Sequence, residues 1–172
     1  ISIYAVNATS GQLRSLGYVT TGNGPIQVAV DPSGRWAYTA NGGSSNVSAY
    51  TINSTTGALT TVGSPVATGS LPNALTVEPS GRFVYVTSRS TGSVWAYTIN
   101  GTTGALTAVG SPVATGTTPT AITVEPSGRF AYVVNQVSNN VSAYTIDGTT
   151  GALTAVAGSP FVTGAAPQRV TV

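Results

Sequence analysis

Apolar and polar residues along this chain group into short β-branched and aromatic runs, separated by clusters of Gly, Pro, Ser, Thr and Asn. In its clearest form the pattern reads Ala121-Ile-Thr-Val124, Glu125-Pro-Ser-Gly128, Phe130-Ala-Tyr-Val-Val134, a polar loop, Val141-Ser-Ala-Tyr-Thr-Ile146, Thr149-Thr-Gly151, and Leu153 to Val156. Each apolar run has the length and composition of a strand, and each cluster has turn chemistry. No segment carries helical period at helical length. Four short strands per unit are predicted, and the chain is all-β.

The unit repeats. Pro-Ser-Gly-Arg begins at Pro32, Pro79 and Pro126, and Ala-Tyr-Thr-Ile recurs around Tyr50, Tyr97 and Tyr144, both at intervals of 47 residues. Tyr4 precedes Tyr50 by 46 residues as a degenerate first member. Gly11, Gly57, Gly104 and Gly151 keep the same step, each two residues before a leucine. Pro25, Pro72, Pro119 and Pro167 complete the register, with Ala157 an insertion in the last unit.

Four strands in a repeat of this size is the pattern of a β-propeller blade. A β-helix has a shorter repeat, and an immunoglobulin-like sandwich needs about 100 residues per domain. Stacked blades also explain why the second strand is apolar on both faces, with Phe83 and Tyr85 on one and Val84 and Val86 on the other. The units divide as 1–24 (the end of one blade), 25–71, 72–118 and 119–166 (three full blades), and 167–172 (the first strand of the next). That makes fifteen strands, or about four four-stranded blades. The expected architecture is a partial propeller belonging to a seven-bladed ring. The ring is completed by further chain or by a second copy of this chain.

Composition narrows the function. All six basic residues are Arg, four residues are acidic, and His, Cys and Met are absent. Without His or Cys there is no Ser-His-Asp triad, thiolate nucleophile, disulfide framework or His/Cys metal site, so neither a metal nor a cofactor is expected. No basic stripe is present to neutralise phosphates, which argues against nucleic acid as a partner. No apolar run approaches the roughly 18 residues of a membrane span. The Ser/Thr/Gly-rich, charge-poor composition suggests a secreted or cell-surface protein.

Asp31, Glu78 and Glu125 each precede the turn proline and are expected to cap the turn rather than to act as bases. Asp147 replaces Asn53 and Asn100 at another turn. The tyrosines of the third strands, with Trp95, are expected to pack between blades. No catalytic residue is assigned. In a propeller the ligand face is built from the loops between second and third strands and between blades. The candidates there are Asn41, Arg89 and Asn135 in the first loop type, with Gln27, Asn73, Thr120, Gln168 and Arg169 after the inter-blade prolines. Arg89 and Arg169 suit a carboxylate or phosphate.

The motifs Asp31-Pro-Ser-Gly-Arg-Trp-Ala-Tyr38 and Pro126-Ser-Gly-Arg-Phe-Ala-Tyr-Val-Val-Asn135 resemble the Tyr-Val-Thr-Asn repeats of bacterial propellers. Asn140 to Asp147, Thr150-Gly-Ala-Leu153 and Gly158-Ser-Pro160 resemble the lactonase-type seven-bladed family, which includes 6-phosphogluconolactonase-like proteins. The resemblance covers essentially the whole chain. It implies either an extracytoplasmic scaffold that binds a ligand or protein through its loop face, or a lactone hydrolase with catalytic residues mostly outside this segment. A third expectation is a structural protein that self-assembles by completing blades between chains.

Overall fold

A computed structural model describes residues 1–172. Strands β1 (Ser2–Val6) and β2 (Leu13–Tyr18) form an antiparallel pair. The next sheet contains β3 (Pro25–Val30), β4 (Trp36–Asn41) and β5 (Asn46–Ile52), with its outer edge made by β6 (Leu59–Thr61) and β7 (Val66–Ala67). A second sheet repeats this as β8 (Pro72–Val77), β9 (Phe83–Ser88), β10 (Ser93–Ile99), β11 (Leu106–Ala108) and β12 (Val113–Ala114). The third comprises β13 (Pro119–Val124), β14 (Phe130–Asn135), β15 (Asn140–Ile146), β16 (Leu153–Ala155) and β17 (Phe161–Val162). Inner strands β3, β8 and β13 lie side by side, so the sheets radiate as blades of a partial propeller.

Two features differ from the strand count expected of the sequence. The outer strand of each full blade is in two pieces that pair with the same third strand: β5 takes β6 at Tyr50–Ile52 and β7 at Asn46–Val47. Gly63-Ser64-Pro65 and its repeats interrupt the edge, because Pro cannot donate to a ladder and Gly63 sits at φ +58°. Seventeen strands result rather than fifteen. Residues 167–172 do not form a paired strand, although Thr120 Oγ1 donates to the Gln168 carbonyl at 3.2 Å. An inner strand gains a ladder only from the second strand of its own sheet, and none lies beside this segment.

The core lies between blades. Trp36, Tyr38 and Val47 of the first full blade pack on Leu75, Val84, Val86, Tyr97, Ile99 and Leu106 of the second. Phe83, Tyr85 and Val94 pack in turn on Ile122, Ala131, Val133, Tyr144, Ile146 and Leu153 of the third. The period-two alternation of β9 therefore sends Phe83 and Tyr85 forward and Val84 and Val86 backward. Polar bonds reinforce the same interfaces. Tyr50, Tyr97 and Tyr144 donate to the Thr20, Ala67 and Ala114 carbonyls at 3.0, 2.6 and 2.6 Å. No helix is long and apolar enough to cross a membrane.

Candidate functional site

The chain direction is the same in every inner strand, so the starts of β3, β8 and β13 meet at one end of the propeller. A cavity of about 730 Å³ opens there. Gln27, Asn73 and Thr120 from the inner strands reach it, as do Gln168 and Arg169 from the segment after Pro167. Arg89 and Gln136 enter from the loops after β9 and β14. Ile26, Ile122 and Val170 supply apolar wall.

Three of these polar groups hold neighbouring blades together. Gln27 Nε2 donates to the Leu75 carbonyl at 3.0 Å, and its Oε1 accepts from the Leu75 N–H at 3.2 Å. One amide side chain thus bridges two inner strands that share no backbone ladder. Asn73 Nδ2 donates to the Pro119 and Thr120 carbonyls at 3.4 and 3.3 Å, and Thr120 donates onward to Gln168. By contrast, the side chains of Arg89, Gln136, Gln168 and Arg169 spend no donor within the chain. Two guanidiniums therefore face a polar cavity with no carboxylate in its lining. Such a mouth suits an anion with hydroxyl groups around it.

Asn41 and Asn135 sit elsewhere. Both are fully buried and point between blades. Asn41 Oδ1 accepts from Thr21 Oγ1 at 2.7 Å, and its Nδ2 donates to Asn46 Oδ1 at 2.8 Å and Ser48 Oγ at 2.9 Å. Asn135 repeats the knot with Thr115, Asn140 and Ser142. These asparagines join a loop to strand ends and leave nothing free for a ligand. Gln136 lines the cavity without having been singled out from the sequence. Its signal was present, because it stands 47 residues after Arg89 and occupies the same repeat position.

Asp31, Glu78 and Glu125 lie just past the far ends of the inner strands, ~13 Å or more from the mouth for a four-residue strand rise, and Asp147 lies in the turn after β15. Asp31 accepts from the Ser33 N–H at 3.0 Å and the Trp36 N–H at 2.7 Å, and from the Ser33 hydroxyl. Burial raises its pKa, but these hydrogen bonds together outweigh burial and hold it below its usual value. Glu125 accepts from the Ser127 hydroxyl and the Ser127 and Arg129 N–H groups, which lower it to about 2. Glu78 makes the same contacts with Ser80 and Arg82. At Asp147 the Thr150 and Thr149 N–H groups lower the carboxyl likewise. All four carboxylates are turn acceptors, and the lowered Asp31, Glu125 and Asp147 are poorly matched to proton transfer near neutral pH. No three His, Cys, Asp or Glu side chains are grouped as metal ligands.

A family model described as lactonase, seven-bladed β-propeller matches residues 1–72 and 67–171. The chain belongs to this lactonase family. Its blades superpose on solved structures of similar architecture. A protein from Lactobacillus plantarum is 27% identical, with a TM-score of 0.85 over 96% of this chain and 50% of that one. A candidate 6-phosphogluconolactonase from Bacteroides uniformis is 19% identical, with a TM-score of 0.84 over 94% and 48%. The periplasmic gluconolactonase of Pseudomonas aeruginosa is 21% identical, with a TM-score of 0.77 over 90% and 44%. The chain thus spans about half the length of the solved structures it matches. Among curated proteins none matches. The arginine-lined mouth lies at the starts of the inner strands, with Arg89 entering from the loop after β9 and Arg169 from the segment after Pro167.

Proposed function

We propose that the chain contributes the anion-binding part of a sugar-lactone site in a lactonase-type propeller. Arg89 and Arg169 hold the carboxylate or phosphate of the ligand, and Gln136 and Gln168 bond its hydroxyls. The acid–base groups for ring opening come from outside these residues. The observation that carries this reading is the pair of uncommitted guanidiniums in the central cavity of a lactonase-family propeller. Neighbours of the same fold include a gluconolactonase and a candidate 6-phosphogluconolactonase, which supports a sugar lactone or its acid as the ligand. One of them is periplasmic, which agrees with the extracytoplasmic setting suggested by the composition.

A second reading, a binding scaffold without catalysis, is favoured by one observation. Asp31, Glu78, Glu125 and Asp147 are all occupied as turn acceptors, which leaves no carboxylate to serve as a base. Both readings are tested by calorimetric titration of 6-phosphogluconate and gluconate, together with proton-release assays on the corresponding lactones. Binding that weakens tenfold or more in Arg89→Ala and Arg169→Ala is expected. Failure of both acids to bind overturns the anion site. Turnover by this chain alone overturns the placement of the catalytic groups elsewhere.

A further inference from the structure

In the bridge from Gln27 to Leu75, one side-chain amide satisfies both main-chain groups of a single residue on the next inner strand. The N–H and carbonyl of a strand residue point to the same edge, so Leu75 turns both away from β9 and toward Gln27. The amide closes that edge. Gln27 lines the central cavity, whereas Leu75 behind it does not.

One blade on, the same place is open. Ile122 stands 47 residues after Leu75 and pairs with Val133 in the register that Leu75 keeps with Val86. Its N–H and carbonyl therefore share the free edge of β13. Ala74 takes the position of Gln27 there, and its methyl group is too short to reach across. The neighbouring Asn73 spends its amide on the Pro119 and Thr120 carbonyls instead, and no other side chain bonds the Ile122 main chain. Ile122, Ala74 and Ala121 all line the cavity, with Arg89 and Gln136 entering from the loops of the same two blades. Both of these blades are complete five-piece sheets, so the open edge follows from alanine at 74.

We propose that the Ile122 main chain is a ligand subsite of the cavity, which takes two adjacent hydroxyls of a sugar acid where the Gln27 amide serves Leu75. One hydroxyl oxygen accepts from the Ile122 N–H, and its neighbour donates to the Ile122 carbonyl. Such a pair offers an acceptor and a donor side by side without charge, as the amide does. The choice of a hydroxylated ligand rests on the sugar-lactone reading of the cavity. Arg89 and Arg169 hold the acidic end, and Ile122 reads the hydroxyl chain. A ligand lacking one hydroxyl of the pair leaves a main-chain group without its partner, so the subsite selects against deoxygenated chains.

A neutral probe separates this subsite from the anion site. Sorbitol carries the hydroxyl chain of gluconate without its carboxylate. In amide NMR spectra of the isotope-labelled chain, sorbitol is expected to shift the Ile122 resonance and not that of Leu75, and to do so equally in Arg89→Ala. Gln27→Ala, at an exposed position, is expected to make the Leu75 resonance respond as well. Ala74→Gln supplies the missing amide and is expected to abolish the Ile122 response and to weaken gluconate binding tenfold or more. An Ile122 resonance that ignores both sorbitol and gluconate overturns the subsite, even where gluconate binds the arginines. So does a Leu75 resonance that stays silent in Gln27→Ala, which keeps the test open if Ala74→Gln does not fold. An Ile122 response to sorbitol without any binding of gluconate supports the subsite and overturns the anion site alone.

Discussion

The hydroxyl of Tyr38 donates to the carbonyl of Gly104, 66 residues away, across the interface between the first and second full blades. Tyr38 is completely buried, and burial pushes its phenol pKa up, so it stays a neutral donor at any ordinary pH. The same pair recurs as Tyr85 and Gly151.

Tyr38→Phe is therefore expected to cost about 1–2 kcal/mol, because the Gly104 carbonyl loses its donor inside a water-poor interface. Tyr132→Phe removes a hydroxyl with no partner in the chain and is expected to fall within about 0.5 kcal/mol of the parent. Urea denaturation of the two variants checks the contrast. Equal losses would mean that the hydroxyl bond is not what distinguishes the blades.

The glycine side of the pair is steric. Gly104 has φ +75°, and a Cβ there would lie 2.4 Å from the Trp36 ring. Gly104→Ala is expected to cost about 2–4 kcal/mol from left-handed strain and overpacking together. At Gly101 a Cβ meets nothing within 4 Å, and Gly101→Ala is expected to stay within about 0.5 kcal/mol. Denaturation midpoints rank the two substitutions directly.

The turn carboxylates set an acid limit. Glu125 is held at about 2, below its ordinary value of 4.5, by the Ser127 hydroxyl and the N–H groups around it. A lowered folded-state pKa adds stability that is complete above pH 4.5 and is lost as the pH falls toward 2. Asp31 shifts in the same direction. The urea midpoint of the parent is expected to fall over that window, and Glu125→Gln is expected to flatten the fall. An unchanged pH profile in the variant would remove Glu125 from the acid response.

The guanidiniums of Arg89 and Arg169 make no hydrogen bond within the chain, and both residues are exposed. Arg89→Ala and Arg169→Ala are expected to leave thermal unfolding unchanged, within the roughly 0.5 kcal/mol of ordinary surface substitutions. Asn135→Ala should behave in the opposite way. It is expected to cost about 2 kcal/mol, because Thr115, Asn140 and Ser142 are left around an empty buried site. Calorimetric scans of the three variants separate ligand residues from structural ones.

How far the site could be read from the sequence follows from the same residues. Asn41 and Arg89 both end or follow a second strand, and both break an apolar run. Position along the strand does not say that Asn41 turns into a pocket between Thr21 and Ser48 while Arg89 turns into the central mouth. That choice depends on the neighbouring blade and on loop geometry. Gln27 is a similar case, since its bridge to Leu75 exists only because two inner strands lie side by side without a backbone ladder.

By itself the sequence determined the repeat, the strands, the turns and the stacking of blades, because each is set by local chemistry recurring every 47 residues. Tertiary structure decided the broken outer strands and the bonds spanning 66 residues between blades. It also decided which loop side chains converge on one cavity. Those depend on the curvature with which blades stack. Curvature is a property of packed neighbours, which a period-two pattern along one strand does not carry.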